Sequence, residues 1–363
     1  MKVERPRAMA PVSLAIPVHP ASRHLGLDVL GLALIAMSLV WVRVSAGSSE
    51  REAGPATTLL LIVALCYVGG RLIGSVVPAA VPLLISGVAV ALLVVNPADV
   101  LGDGPLQGPF GYNNATGAFY AQAAFAAAAA GVVLPRLRSL GFLVAAVCAA
   151  VPFAIGSLAA GAAVVVLAPL ATLARNRSGA RGVIALGAAL WLAVLGATIL
   201  LGATHTNTDR DSGLAAVVND TLSARRPALW HDALVMIERE PLSGVGPQGF
   251  EKSSPVALSD RDARWTHNEF LQFGAETGLP GLLLAIGLIA WTLVRLSVSP
   301  RHHVAVLGSL ALVALAIHAC IDYIWHFPIV VAVAAALAGS ATAAPRLALR
   351  VEPVHPNPPV RPQ

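Results

Sequence analysis

Apolar residues run along most of the chain in blocks of roughly 17–25, broken by short polar stretches, and each block is long enough to cross about 30 Å of hydrocarbon. The blocks fall near residues 25–45, 56–74, 77–95, 117–134, 139–155, 158–174, 183–203, 276–296, 303–321 and 327–344. This spacing predicts an all-α fold, a polytopic transmembrane bundle of about ten spans, because a chain in lipid must satisfy its backbone hydrogen bonds within helices or a closed barrel. The stretch 139–174 is one long apolar run, so a tight turn between Pro152 and Ser157 has to divide it. Without that turn every later span would invert.

One polar interruption is long. It runs from Thr204 to about Gly274 and separates seven spans (25–203) from three (275–345), with tails at 1–24 and 346–363. A loop of this length with no structure of its own would be unusual, which makes it the place to look for function.

Composition agrees with the pattern. Of the 363 residues, 56% are hydrophobic and 12% charged, with mean hydropathy +0.75, whereas a soluble domain carries about 25% charged residues. The net charge of +5 reflects Arg residues scattered between spans, not a continuous stripe. Topology therefore explains them better than nucleic-acid binding. Lys2, Arg5, Arg7, Arg23, Arg71, Arg136, Arg138, Arg175, Arg177, Arg181, Arg295, Arg301, Arg346, Arg350 and Arg361 all fall on one side of a ten-span arrangement. By the positive-inside rule that side is cytoplasmic, as are both termini, and loop 204–274 lies on the outer face. The basic, Pro-interrupted N-terminus lacks the apolar core of a signal peptide and is expected to be a retained tail. Cys66, Cys148 and Cys320 sit in apolar segments without metal-ligand spacing, so neither a disulfide framework nor a zinc site is indicated.

The long loop opens with THTNTDRDSG, rich in turn formers, and then becomes helical in TLSARRPALWHDALVMIEREP. There Leu222, Leu229, Ala233, Met236 and Ile237 recur at helical spacing and Pro241 ends the run. This predicts an amphipathic helix on the membrane surface or packed beneath the loop. Next comes PLSGVGPQGF, whose Gly244, Gly246 and Gly249 permit a tight turn. WTHNEFLQFGAETGLPG follows and leads into the eighth span.

Two of these residue types suit chemistry on a lipid pyrophosphate. A guanidinium neutralises phosphate with fixed geometry and does not lose its proton. A His can accept a proton from a hydroxyl near neutral pH. Each also has a plainer reading. Arg225 and Arg226 could be solvated charges on a surface helix. Thr266 and Glu269 have the spacing of a capping box, which would make His267 part of a helix cap. Trp230 and Trp265 suit an interfacial aromatic belt.

Taken in order, ARRPALWHDALVMIEREPLSGVGPQGF (224–250) and THNEFLQFGAETGLPGLLL (266–284) resemble the O-antigen ligase and Wzy polymerase family of bacterial membrane glycosyltransferases. GPFGYNNATGAFYAQ (108–122) and, more loosely, HACIDYIWHFP (318–328) are similar to further family segments, so the resemblance covers about 108–335. The chain departs from the family in having about ten spans where twelve are common, and in carrying Ala159 where many members have Arg. The resemblance implies transfer of a glycan from an undecaprenyl-pyrophosphate carrier to an acceptor hydroxyl at the periplasmic face of the bacterial cytoplasmic membrane. Lipid A core or another glycan would be the acceptor, with no cofactor or metal. It makes His267 the group that orients or deprotonates the acceptor and Arg226 the group that stabilises the departing pyrophosphate, with Arg225 as the alternative. Asn268, Glu269, Gln272, Asn113 and Asn114 become candidate substrate contacts, Gly244 and Gly246 shape the turn beside them, and Arg210, Arg261 or Arg264 could supply a second guanidinium. Ligase, polymerase and protein O-glycosyltransferase remain open within the family. A lipid or solute transporter is the rival of another class; it would place ionisable residues at mid-membrane and show broken helices. Asp322 is the best exception to the low charge of the spans, and it is expected to be wet.

Overall fold

A computed structural model describes residues 24–47, 50–102, 104, 106–205, 225–259 and 263–344. Arg210, Leu222, Arg261, most of THTNTDRDSG, the predicted N-terminal tail up to residue 23 and the whole predicted C-terminal tail lie outside these residues. All regular elements among the described residues are helices. The principal ones are α1 (Leu25–Ala46), α2 (Glu50–Val76), α3 (Ala80–Val95), α4 (Asn113–Val133), α5 (Arg138–Ala154), α6 (Leu158–Leu167), α7 (Arg177–Thr204), α8 (Arg226–Arg239), α9 (Glu269–Ser297), α10 (His302–Ala319) and α11 (Pro328–Thr342).

A helix stands at each of the ten apolar blocks, and α8 occupies the long loop. Seven of the described helices are long and apolar enough to cross a membrane, whereas α3, α11 and the segment Leu158–Leu173 are shorter apolar helices. The protein is a multi-pass membrane protein. The turn between α5 and α6 forms where Gly156 adopts φ +74°, a left-handed conformation open to glycine at little cost.

The centre of the bundle is α4, in which nearly every residue is buried. Its run of Ala residues from Ala126 to Ala130 lets neighbouring helices approach closely, as membrane bundles favour. It packs against α5 and α10, and α10 in turn packs against α7 and α11. Leu32, Leu65, Val94, Leu143 and Leu200 face outward, as lipid-facing positions should.

Two of the arginines assigned to the cytoplasmic side do more than mark topology. Arg71 grips Asp28 with both terminal nitrogens at 2.5 and 2.8 Å, and the buried Arg295 reaches the same carboxylate through Nε at 2.9 Å. These contacts tie α1, α2 and α9 together at the end opposite the polar loop.

α9 begins at Glu269, earlier than the predicted 276, and kinks at Gly278, where φ is +71° and ψ −177°. Pro280 follows, and a Cβ at Gly278 would stand 2.2 Å from the Leu242 carbonyl oxygen. The kink thus divides a site-bearing first segment from the long apolar remainder. Gly278→Ala is expected to lower stability by roughly 1–3 kcal/mol from the backbone conformation alone, seen as a fall in the thermal midpoint of the purified protein; an unchanged midpoint would refute the close packing at the kink.

Candidate active site

α8 is built to hold its first residue in place. Pro227 occupies its first turn, where a missing N–H costs nothing. Leu229, Trp230, Ala233, Met236 and Ile237 are buried against α7 and α9. The helix is therefore packed against the bundle, and Trp230, expected at the membrane interface, is instead a core residue closely apposed to Gly202. With its apolar face fixed, α8 presents Arg226 from its N-terminus, where the helix dipole adds positive potential.

The glycine turn grips α9. Gly244 and Gly246 have φ +65° and +89°, Val245 N–H donates to the Ala275 carbonyl at 2.9 Å, and Leu279 N–H donates to the Pro241 carbonyl at 2.8 Å. A Cβ on Gly244 would collide with the backbone of Glu276. Gly244 therefore serves helix docking, while Gly246 serves the turn through its positive φ.

At the start of α9 the cap differs from the capping box that the spacing suggests. Asn268 is the cap: its Oδ1 accepts from Phe270 and Leu271 N–H, both at 3.1 Å, and its Nδ2 donates to Thr198 Oγ1 at 2.9 Å. Glu269 turns the other way and accepts from Trp325 N–H at 2.6 Å and pairs with His326 Nδ1 at 3.2 Å. The amide oxygen of Gln272 accepts from Thr266 N–H at 3.3 Å, and its Nε2 donates to Glu276 at 3.1 Å. This bracing holds His267 at φ +51°, a conformation rare for a residue with a Cβ and frequent at functional sites.

His267 projects from this turn to Asp322, in the connection between α10 and α11. The separation is 3.2 Å from Nδ1 to Oδ1. Asp322 was expected to be wet, yet its side chain is 1% exposed, because five groups close around it. Tyr112 donates to both its oxygens at 2.9 Å, Tyr323 N–H donates to Oδ1 at 2.8 Å, and Asn114 Nδ2 donates to Oδ2. Arg226 stands 3.8 Å away and His318 4.0 Å away. Burial alone would raise the Asp322 carboxyl, but the hydrogen bond from His267 and the charges of the neighbouring imidazoles and Arg226 hold it far below the usual carboxylate range. Burial and the Asp322 charge push the Tyr112 hydroxyl up, so it stays protonated and donates.

An ionised carboxylate can only accept, so Asp322 requires the proton of neutral His267 on Nδ1. That leaves the Nε2 lone pair as the base. The Arg226 and His267 side chains are 17% and 18% exposed, which keeps both reachable at the rim of a buried anion, and among the described residues Arg226 Nε has no hydrogen-bond partner. The arrangement can take a proton at Nε2 and stabilise an anion beside it.

The remaining candidates are placed as follows. Asn114 joins the cluster. Asn113 does not: its amide donates to the carbonyls of Gly102 and Ile155 at 3.2 and 3.4 Å, and it braces the α5–α6 turn. Arg225 is exposed just before α8, and Arg264 lies 3.5 Å from Glu251. Trp265, expected in an aromatic belt, packs against the His326 ring at 4.1 Å between centroids. Among the described residues no group of three or more His, Cys, Asp and Glu side chains is placed to hold a metal ion.

Sequence reasoning missed Asp322 as the hub, together with Tyr112, His318 and Tyr323. One signal was present: Asp322 is an ionisable residue in an apolar neighbourhood, four residues after His318.

Residues 112–286 match the family model Wzy_C, O-Antigen ligase. The matched region takes in Tyr112, Asn114, Arg226 and His267, and it stops before Asp322. No curated protein matches the chain.

Proposed function

We propose, on the premise that residues 112–286 form an O-antigen ligase (Wzy_C) domain, that this multi-pass membrane protein transfers a glycan from undecaprenyl pyrophosphate to an acceptor hydroxyl at the periplasmic face of the bacterial cytoplasmic membrane. The observation that carries this reading is the buried Asp322 carboxylate, which orients His267 as a base beside Arg226.

The step balances without further reactants. The acceptor hydroxyl gives its proton to His267 Nε2 and its oxygen forms a bond to the anomeric carbon of the donor. The bond from that carbon to the pyrophosphate oxygen breaks, and the electron pair leaves with undecaprenyl pyrophosphate. Arg226 and the N-terminus of α8 meet the charge that develops there. Asp322 stabilises the imidazolium that forms, as a carboxylate does behind a general-base histidine. Asn114 and Tyr112 act as positioning residues that fix Asp322. Asn268 and Gln272 support the turn that carries His267.

The test is glycan transfer from lipid-linked donor in membranes that contain the full chain. Transfer with release of undecaprenyl pyrophosphate is the expected outcome, and absence of turnover with donor and a lysate-derived acceptor pool would reject the reading. Lipid A core is one of the acceptors open to such an enzyme. Deleting the gene distinguishes it from another repeat: loss of all long chains from the lipid core marks a ligase, and chains of a single repeat mark a polymerase.

A further inference from the structure

Segments 265–269 and 322–326 exchange two imidazole–carboxylate pairs. His267 meets Asp322 at 3.2 Å, and Glu269 meets His326 at 3.2 Å. The first pair belongs to the cluster that contains Arg226. The second lines a separate pocket of about 380 Å³, open on the same end of the molecule, within the range of small-ligand sites, about 300–1,000 Å³.

The pocket has its own chemistry. Glu52, Glu269 and Glu276 line it with His326, Gln248 and Gln272; among the described residues no Lys or Arg lines it, and Lys252 pairs with Glu52 from outside the lining. Trp265 and Trp325 form walls, and among the described residues the Trp325 indole N–H has no hydrogen-bond partner. Three carboxylates against the single lining imidazole of His326 disfavour a pyrophosphate, while they accept hydrogen bonds from hydroxyls. Aromatic walls with a few polar groups suit the apolar face and hydroxyl rim of a sugar ring. Leu59, Phe273 and Trp325 also line an adjoining apolar cavity of about 120 Å³ among α1, α2, α9, α10 and α11. Polar pocket and apolar cavity are therefore neighbours that share these three side chains.

We propose that this pocket is the subsite for a neutral sugar of a lipid-borne acceptor, with the sugar between Trp265 and Trp325 against Glu269 and the start of its lipid chain in the adjoining apolar cavity. The assignment rests on the transferase reading and deepens it: a phosphorylated donor is drawn to Arg226 and an uncharged acceptor to the acidic pocket. Tyr323 joins the two, with its ring 4.8 Å from His267 and 5.9 Å from His326.

Binding can be read apart from transfer. The full chain in lipid nanodiscs is titrated with methyl glycosides of glucose, galactose, mannose and N-acetylglucosamine, followed by saturation-transfer NMR. At least one is expected to bind, with affinity about tenfold weaker in Trp265→Ala, retained in Trp265→Phe, and unaffected by inorganic pyrophosphate. The decyl glycoside of the sugar that binds, corrected for partition into empty nanodiscs, is expected to displace it at tenfold lower concentration. No binding by any glycoside, equal binding in Trp265→Ala, or displacement by pyrophosphate overturns the subsite, and equal potency of methyl and decyl forms overturns its lipid-borne occupant. Sugar binding that behaves as expected in a protein with no transferase activity would refute the proposed reaction and leave the subsite standing.

Discussion

Asp322→Asn is expected to reduce glycan transfer by about 10⁴-fold, by analogy with the loss seen when a carboxylate behind a general-base histidine becomes an amide. Asn keeps the volume of the side chain but not its charge. An amide can present an N–H to His267 Nδ1, and this favours the tautomer in which Nε2 carries the proton and can no longer accept one. Tyr112 and Asn114 then compete for the single remaining oxygen. The measurement is turnover of lipid-linked donor at matched protein level, with folding checked by monodisperse elution. Activity within tenfold of the parent would remove Asp322 from the mechanism. Its lowered pKa also sets the sign of a pH effect. The stabilisation that the ionised carboxylate contributes is complete above the unfolded value of about 3.9 and is lost as the pH falls through the folded value. The stability difference between parent and Asp322→Asn should therefore persist at mildly acidic pH and shrink only in strong acid.

Arg226→Ala is expected to lower the maximal rate by about 10²–10³-fold, the magnitude typical of removing one preorganised charge-stabilising donor. Arg226→Lys should recover only part of this, because an ammonium lacks the planar fork that meets two phosphate oxygens together. His267→Ala should fall to a similar rate by a different route, through loss of the base. Combining it with Arg226→Ala should cost less than the product of the two losses if both act in one transition state. Full activity of both single variants in membranes at normal protein level would reject the site. An Arg226→Ala effect confined to the KM for donor would reassign the residue from transition-state stabilisation to ground-state binding.

Several parts of this molecule are legible residue by residue. The split at Pro152–Ser157 follows from span parity, and Gly156 makes the turn. The α8 helix follows from the period of Leu229, Ala233, Met236 and Ile237. Arg226 and His267 stand out because ordered motifs flank them on the one long polar loop. Asn113 and Asn114 show where this legibility stops: they are adjacent in sequence, yet only Asn114 reaches Asp322, because side chains one residue apart on a helix point about 100° from each other.

Hydropathy and composition alone determined that the chain is an α-helical, multi-pass membrane protein, since lipid forces its backbone into helices and each span must be long enough to cross. Tertiary structure decided the rest. Trp230 is a core residue because α8 packs on α7 and α9. Glu269 serves His326 while Asn268 caps α9, a choice fixed by the neighbouring 322–327 segment and invisible to local spacing. Asp322 became the hub because α4, α8, the 265–268 turn and the α10–α11 connection converge on it from positions up to 210 residues apart. Periodicity records which face of a helix is buried, whereas the partner that a buried carboxylate finds is set only when distant elements meet.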